Sequence, residues 1–65
     1  METFVKRFIG KNCTINTTAP ERITIHETIC EISNGCILIK SEDGYQFVIK
    51  MECLDMIIYP SIYQN

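Results

Sequence analysis

The sequence predicts a mainly β protein, with one short N-terminal helix followed by a five-stranded, strongly bent antiparallel sheet of the small-barrel type. Three observations favour this fold class. Isoleucine, a strand-forming residue, occurs 12 times among 65 residues. Short apolar runs alternate with turn sequences, notably Ser33-Asn34-Gly35 and Glu42-Asp43-Gly44. Helical periodicity occurs only before Gly10. We therefore expect a single domain over residues 1–60 and a loosely held tail over 61–65.

The helix is predicted over Glu2–Ile9. Apolar residues there follow the i, i+1, i+4, i+5 spacing from Phe4, which places them on one helical face. Gly10 suits the position just past a helix end, because glycine adopts the left-handed conformation at little cost. We expect the helix to cover one side of the sheet.

Five strands follow in the sequence pattern, and Arg22–Ile32 is the longest. Its apolar residues change face between Ile29 and Ile32, which predicts a bulge, a sharp bend, or a strand buried on both sides at one end. Between the last two strands, Met51–Leu54 has room only for a turn or a single helical turn. The predicted strands are Asn12–Thr17, Arg22–Ile32, Cys36–Ser41, Tyr45–Lys50 and Met56–Tyr59.

The charge distribution limits the classes of ligand. The net charge is −2, but residues 1–11 hold three basic residues and one acidic residue, a balance of +2. Residues 12–65 hold three basic and seven acidic residues, a balance of −4. A chain-wide basic surface for nucleic acid is absent, so an anionic ligand would have to meet a local patch. No apolar run approaches the roughly 18 residues of a membrane span, and no secretory leader is recognisable, so we expect a cytoplasmic protein.

Four cysteines, Cys13, Cys30, Cys36 and Cys53, lack the close C-x2-C spacing of a zinc site. We expect reduced thiols that act as small core residues, with metal binding and disulfide formation as the alternatives. His26 is the single histidine, and no nucleophile, carboxylate pair or phosphate-binding loop is recognisable near it in sequence. We therefore expect a protein without a cofactor or metal, and not an enzyme.

The second half of the chain resembles the Sm-like family of small barrels, including its bacterial RNA-chaperone branch. The segments that carry the resemblance are 37–44 (ILIKSEDG), 46–50 (QFVIK) and 54–58 (LDMII), which are similar to the third strand, acidic turn, fourth strand and fifth strand of that family. Residues 4–11 are similar to its opening helix. The resemblance implies an SH3-like or Sm-like barrel that forms a homo-oligomeric ring by pairing the fourth strand of one subunit with the fifth strand of the next. The implied interface residues are Phe47, Ile49, Met56, Ile57 and Ile58.

The resemblance also implies binding of RNA or a nucleotide, with Lys50 near the pore of the ring. The chaperone branch has a Tyr-Lys-His run where this chain has Ile49-Lys50-Met51, so we expect little preference for uridine. Lys6, Arg7 and Lys11 are candidates for phosphate contacts, and Tyr59 for base stacking. Each of these residues would also suit a solvated surface.

Two other functions remain open. A small-barrel interaction protein, such as a phage- or host-encoded inhibitor, would bind a protein target through an exposed edge strand. A ring could instead sequester a small signalling nucleotide at its subunit interfaces. The net negative charge favours these two classes over general RNA binding.

Overall fold

The computed structural model describes residues 2–62 and confirms the mainly β fold class. A one-turn α-helix, α1, continues as a 3-10 turn, η1; five strands follow, and a second 3-10 turn, η2, joins the last two. The elements are α1 (Glu2–Val5), η1 (Lys6–Phe8), β1 (Asn12–Thr17), β2 (Thr24–Ser33), β3 (Cys36–Lys40), β4 (Gln46–Lys50), η2 (Met51–Cys53) and β5 (Leu54–Ile58). The predicted tail 61–65 lies outside the described residues from position 63 onward.

The helix is shorter than its periodicity predicts, because the residues that follow Phe8 pair with β2 instead of continuing the helix. Ile9 forms a parallel bridge to Ile29 on β2, and the Gly10 N–H donates to the Ile29 carbonyl at 2.6 Å. The Ile29 N–H in turn donates to the Lys11 carbonyl at 3.2 Å. Of the predicted apolar face, Val5 is buried, whereas Phe4 is 65% exposed. From Ile9 onward, the backbone therefore pairs with the sheet and is no longer helical.

The strands form one antiparallel sheet in the order β4-β3-β2-β1-β5, which leaves β4 and β5 as its edges. The sheet is bent but is not closed into a barrel by pairing of these edges. The register of β2 against β3 shifts between Ile29 and Glu31, which confirms the predicted bulge. Because a bulge changes which face the following residues occupy, Ile29 and Ile32 are both buried despite their opposite parity.

Two loops show how local chemistry sets the strand ends. In the two-residue loop between β2 and β3, Asn34 and Gly35 have φ angles of 52° and 71°, which suits a tight hairpin. In the loop between β1 and β2, the Thr17 hydroxyl donates to the Glu21 carbonyl at 3.0 Å and accepts the Ile23 N–H at 3.2 Å. The Thr17 N–H also donates to the Ile23 carbonyl at 3.0 Å, so these bonds close the base of the loop, and β2 begins at Thr24 rather than at Arg22.

The core is a layer of β-branched side chains on the concave side of the sheet, capped by Val5 of α1. Ile15 lies between Ile25 and Ile57 of the neighbouring strands. The buried members are Val5, Cys13, Ile15, Ile29, Ile32, Ile37, Ile39 and Ile49. Edge strand β4 is covered least, since Val48 is 67% exposed.

We expect Ile39→Val to lower the free energy of unfolding by about 0.5–1.5 kcal/mol, because it removes one methylene from a fully buried site. Val48→Ala, on the adjacent strand but exposed, should change it by less than about 0.5 kcal/mol. Urea denaturation at one fixed protein concentration measures both. Equal losses for the two variants would contradict the assignment of the core.

Candidate nucleic-acid interface

Two cation–ring pairs lie on α1, η1 and the residues that precede β1 and follow β5, and a ring–ring contact of Phe8 links them. The Arg7 guanidinium lies 5.3 Å from the centroid of the Phe4 ring. The Lys11 Nζ lies 5.0 Å from the centroid of the Tyr59 ring. Both distances fall within the range of a cation–π contact. We refer to Phe4, Arg7, Phe8, Lys11 and Tyr59 as the basic–aromatic face.

The fold brings Tyr59 to this face from the other end of the chain. Ile58 pairs with Thr14 in the β1–β5 ladder, so the next residue emerges beside the start of β1. There the Tyr59 ring lies 6.1 Å from the Phe8 ring, centroid to centroid, at an interplanar angle of 57°. This tilted arrangement is one that aromatic pairs favour. The structure therefore unites predicted site residues that are 48 positions apart in sequence, Lys11 and Tyr59.

Lys6 lies on the same helical segment but has a partner of its own. Its Nζ is 3.8 Å from Glu2 Oε1, an exposed i, i+4 ion pair. Such a pair contributes only a few tenths of a kcal/mol to stability. It does offset part of the positive charge that Lys6 would present to an anion. Arg7 and Lys11 are therefore the principal cations of the face.

Lys50 is placed elsewhere. It pairs with Cys36 at the end of β4, and the next residue, Met51, donates its N–H to the Gly35 carbonyl at 2.8 Å. The distance between the two places can be estimated along β2, where Ile29 bonds to Lys11 and Ser33 pairs with Cys36. At the usual rise of a β-strand, Ile29 and Ser33 are roughly 13 Å apart. The structure thus puts the predicted site residues in two places.

A cleft of about 570 Å³ lies beside Lys50, between the β1–β2 loop and the end of β4. Its walls are largely apolar, with Pro20, Ile23 and Ile49 among them. Two carboxylates, those of Glu21 and Glu52, share the cleft with Lys50. Because the acidic groups outnumber the ammonium, the cleft is a poorer site for an anion than the basic–aromatic face.

The predicted interface residues divide into buried and exposed groups. Ile49 belongs to the core, and Ile57 is half-buried and packs against the core from β5. Ile58 is also half-buried. Phe47 and Met56 are exposed, at 44% and 49%. Within the single chain, the Ile49 side chain faces inward although its strand is an edge, and its place at an interface between copies stays a prediction.

A buried polar cluster was not predicted from sequence. Thr14 Oγ1 lies 2.9 Å from His26 Nδ1 and 3.0 Å from Ser61 Oγ, and Ser61 Oγ lies 3.4 Å from His26 Nδ1. The Ile62 N–H donates to Thr14 Oγ1 at 3.0 Å. Ser61, expected in a loosely held tail, is instead buried. No sequence signal joins residues 47 positions apart, so only the fold reveals the cluster.

All four cysteines are free thiols, but they differ in burial. Cys13 is fully buried, which confirms its predicted core position, whereas Cys30, Cys36 and Cys53 are half-buried. Burial raises the pKa of the Cys13 thiol above its ordinary value, and the nearby Lys11 ammonium opposes this shift. Within residues 2–62, no group of three or more His, Cys, Asp or Glu side chains is arranged to hold a metal ion.

Comparison of the chain with known protein families, with curated proteins and with solved structures finds no match. Among residues 2–62, the helical segments fall short of the length and hydropathy needed to span a bilayer.

We expect Cys13 to be the last cysteine alkylated in the native protein, because iodoacetamide reacts with the thiolate and the raised pKa of Cys13 reduces its thiolate fraction. Half-buried Cys36 is the internal control. Peptide mapping by mass spectrometry at several pH values should show labelling of Cys13 beginning at higher pH in the native protein than in the unfolded protein. The raised pKa also predicts that stability falls as the pH rises above the unfolded-state pKa of this thiol, since the unfolded chain then releases its proton first. Equal labelling of Cys13 and Cys36 in the folded protein would contradict the prediction.

Proposed function

We propose that this chain is a homo-oligomeric, Sm-like protein that binds short single-stranded RNA on its basic–aromatic face. The observation that carries the proposal is the two cation–ring contacts on that face, Arg7 over Phe4 and Lys11 over Tyr59. Aromatic side chains provide stacking surfaces for unpaired bases, and neighbouring cations contact the phosphates between them.

The charge balance of the chain supports this location. The whole chain is acidic, yet its first eleven residues carry a balance of +2. Phe4 and Tyr59 are 65% and 49% exposed, so both rings have surface available to a base. Stacking of one base on an aromatic side chain contributes about 1–3 kcal/mol to binding. A single copy of so small a face would bind weakly.

Oligomerisation would multiply the face. Each chain has two unpaired sheet edges, β4 and β5, and both carry exposed apolar side chains, among them Val48 and Met56. Unpaired edges of this kind are templates for strand pairing between chains. Pairing of β4 with β5 of a second copy is heterologous and generates a ring if the rotation closes. Several copies on one RNA strand would raise the overall affinity without new contacts.

A second function is favoured by the exposure of β4. Phe47 and Val48 lie next to each other on this edge and are both exposed. A protein target could add a strand to the same edge, as in β-augmentation. The two functions compete for β4, so a chain that binds a protein target there would not form the ring. A ring that sequesters a small signalling nucleotide would hold it at the interfaces between subunits.

We expect RNA binding to weaken steeply with salt and to depend on Tyr59 and Lys11. With a labelled oligonucleotide of about 16 nucleotides, Tyr59→Leu should reduce affinity about tenfold or more through lost stacking. Lys11→Gln should reduce both the affinity and the salt slope, because one phosphate contact is lost. Fluorescence anisotropy across a salt series measures both effects.

Arg22→Gln is the matched control, since it removes an exposed cation from the β1–β2 loop, outside the face. Its effect should be small. A larger loss from Lys50→Gln than from Lys11→Gln would place the site at the cleft instead. Absence of binding at low salt would reject the RNA proposal, and a nucleotide or protein retained through purification would favour one of the other two functions.

We expect an oligomer at micromolar concentration that Met56→Lys dissociates, because a charge on an exposed position of edge strand β5 opposes pairing. Sedimentation equilibrium measures the mass against the 7.5 kDa chain. Thr24→Lys places the same charge at an exposed position of β2, which is not one of the two edge strands and is already paired with Asn16 of β1 at this residue, and it should leave the mass unchanged. A wild-type mass of one chain would reject the ring.

A further inference from the structure

We infer that Thr14 is a positioning residue that holds Tyr59 in the basic–aromatic face by fixing both ends of the chain reversal on which Tyr59 lies. Its consequence for RNA rests on the proposed function, whereas the positioning itself does not. Thr14 thereby links the buried polar cluster to the basic–aromatic face, although the residues of the two lie far apart in sequence.

Thr14 meets the chain before and after Tyr59. On the near side, Ile58 pairs with Thr14 in the β1–β5 ladder. On the far side, the Ile62 N–H donates to Thr14 Oγ1 at 3.0 Å, and Ser61 Oγ lies 3.0 Å from the same oxygen. Between these two attachments, only Tyr59 and Pro60 bridge the reversal. One residue on β1 therefore fixes both ends of a two-residue loop.

The Thr14 hydroxyl has the bonding capacity for this role. A hydroxyl donates one hydrogen bond and accepts two. The Ile62 N–H occupies one acceptor position, and Ser61 Oγ and His26 Nδ1 lie within bonding distance for the remaining acceptor and the donor. Thr14 is 1% exposed, so water does not compete for these positions. The backbone of Ile62 is bonded to a fixed point in the sheet.

The ring of Tyr59 has few restraints of its own. Its described partners are Phe8, at 6.1 Å between centroids, and the Lys11 ammonium, at 5.0 Å from the ring. About half of the Tyr59 side chain is exposed. Contacts of this kind are individually weak. The direction of the backbone through Tyr59, which Thr14 sets, therefore decides whether the ring reaches Phe8 and Lys11.

The test compares Thr14→Val, which keeps the β-branched shape without the hydroxyl, with Thr14→Ser, which keeps the hydroxyl. For Thr14→Val, hydrogen exchange at the Ile62 amide should accelerate about fivefold or more, given the usual net strength of one hydrogen bond. The nuclear Overhauser contact between the Phe8 and Tyr59 rings should weaken as well. Thr14→Ser should restore both towards the wild type. Should Thr14→Val not fold, Ser61→Ala removes one attachment on the far side and should loosen the same ring contact.

RNA binding supplies the second measurement. Thr14→Val should weaken binding in the wild-type background and cause no further loss in a Tyr59→Leu background, because its effect passes through that ring. An equal loss in both backgrounds, or an unchanged ring contact in Thr14→Val, would overturn the inference. If the wild type binds no RNA, the proposed function fails, and the exchange and ring-contact measurements still decide whether Thr14 positions Tyr59.

Discussion

The bulge in β2 is the constraint on which the rest of the structure depends. A regular ten-residue strand would present alternate residues to each face, and Ile29 and Ile32 could not both point into one core. The register shift between Ile29 and Glu31 lets the first half of β2 pair with β1 and the second half with β3 while the buried face remains continuous. The resulting bend allows one strand to contribute to both halves of the core.

A core this small cannot cover the two edge strands of the sheet. The buried set consists mostly of isoleucines from β1 to β4, and it leaves β4 and β5 with other apolar side chains in water. A chain of 65 residues buries only about 60% of the surface that its unfolded form exposes. The same shortage of covering elements explains why Phe4 remains exposed on a one-turn helix. Exposed edges and exposed rings are thus two results of one limit on size.

Polar contacts at the two ends of β1 hold different parts of the chain. At its start, Lys11 turns its ammonium towards Tyr59, while its carbonyl accepts the Ile29 N–H and so joins the helix to β2. At its end, Thr17 organises the β1–β2 loop by side-chain bonds. Between these two positions, the Thr14 hydroxyl accepts a hydrogen bond from the segment that follows β5. β1 therefore connects the helix, the β1–β2 loop and the C-terminal segment, as well as pairing with two strands.

The sequence by itself determined the class of fold, the order of the elements, the tight turn at Asn34 and Gly35, and the part of β2 in which the apolar residues change face, because these follow from local propensity and from the parity of apolar residues. It also pointed to Lys11 and Tyr59 as separate candidates. Only the tertiary structure decided that the two meet, that Lys50 lies at the other end of the sheet, and that Ile49 faces inward on an edge strand. It also decided that Ser61 is buried beside Thr14 and His26. The physical reason is that strand pairing brings together residues far apart in sequence, such as Thr14 and Ile58, and no local pattern carries the register of that pairing.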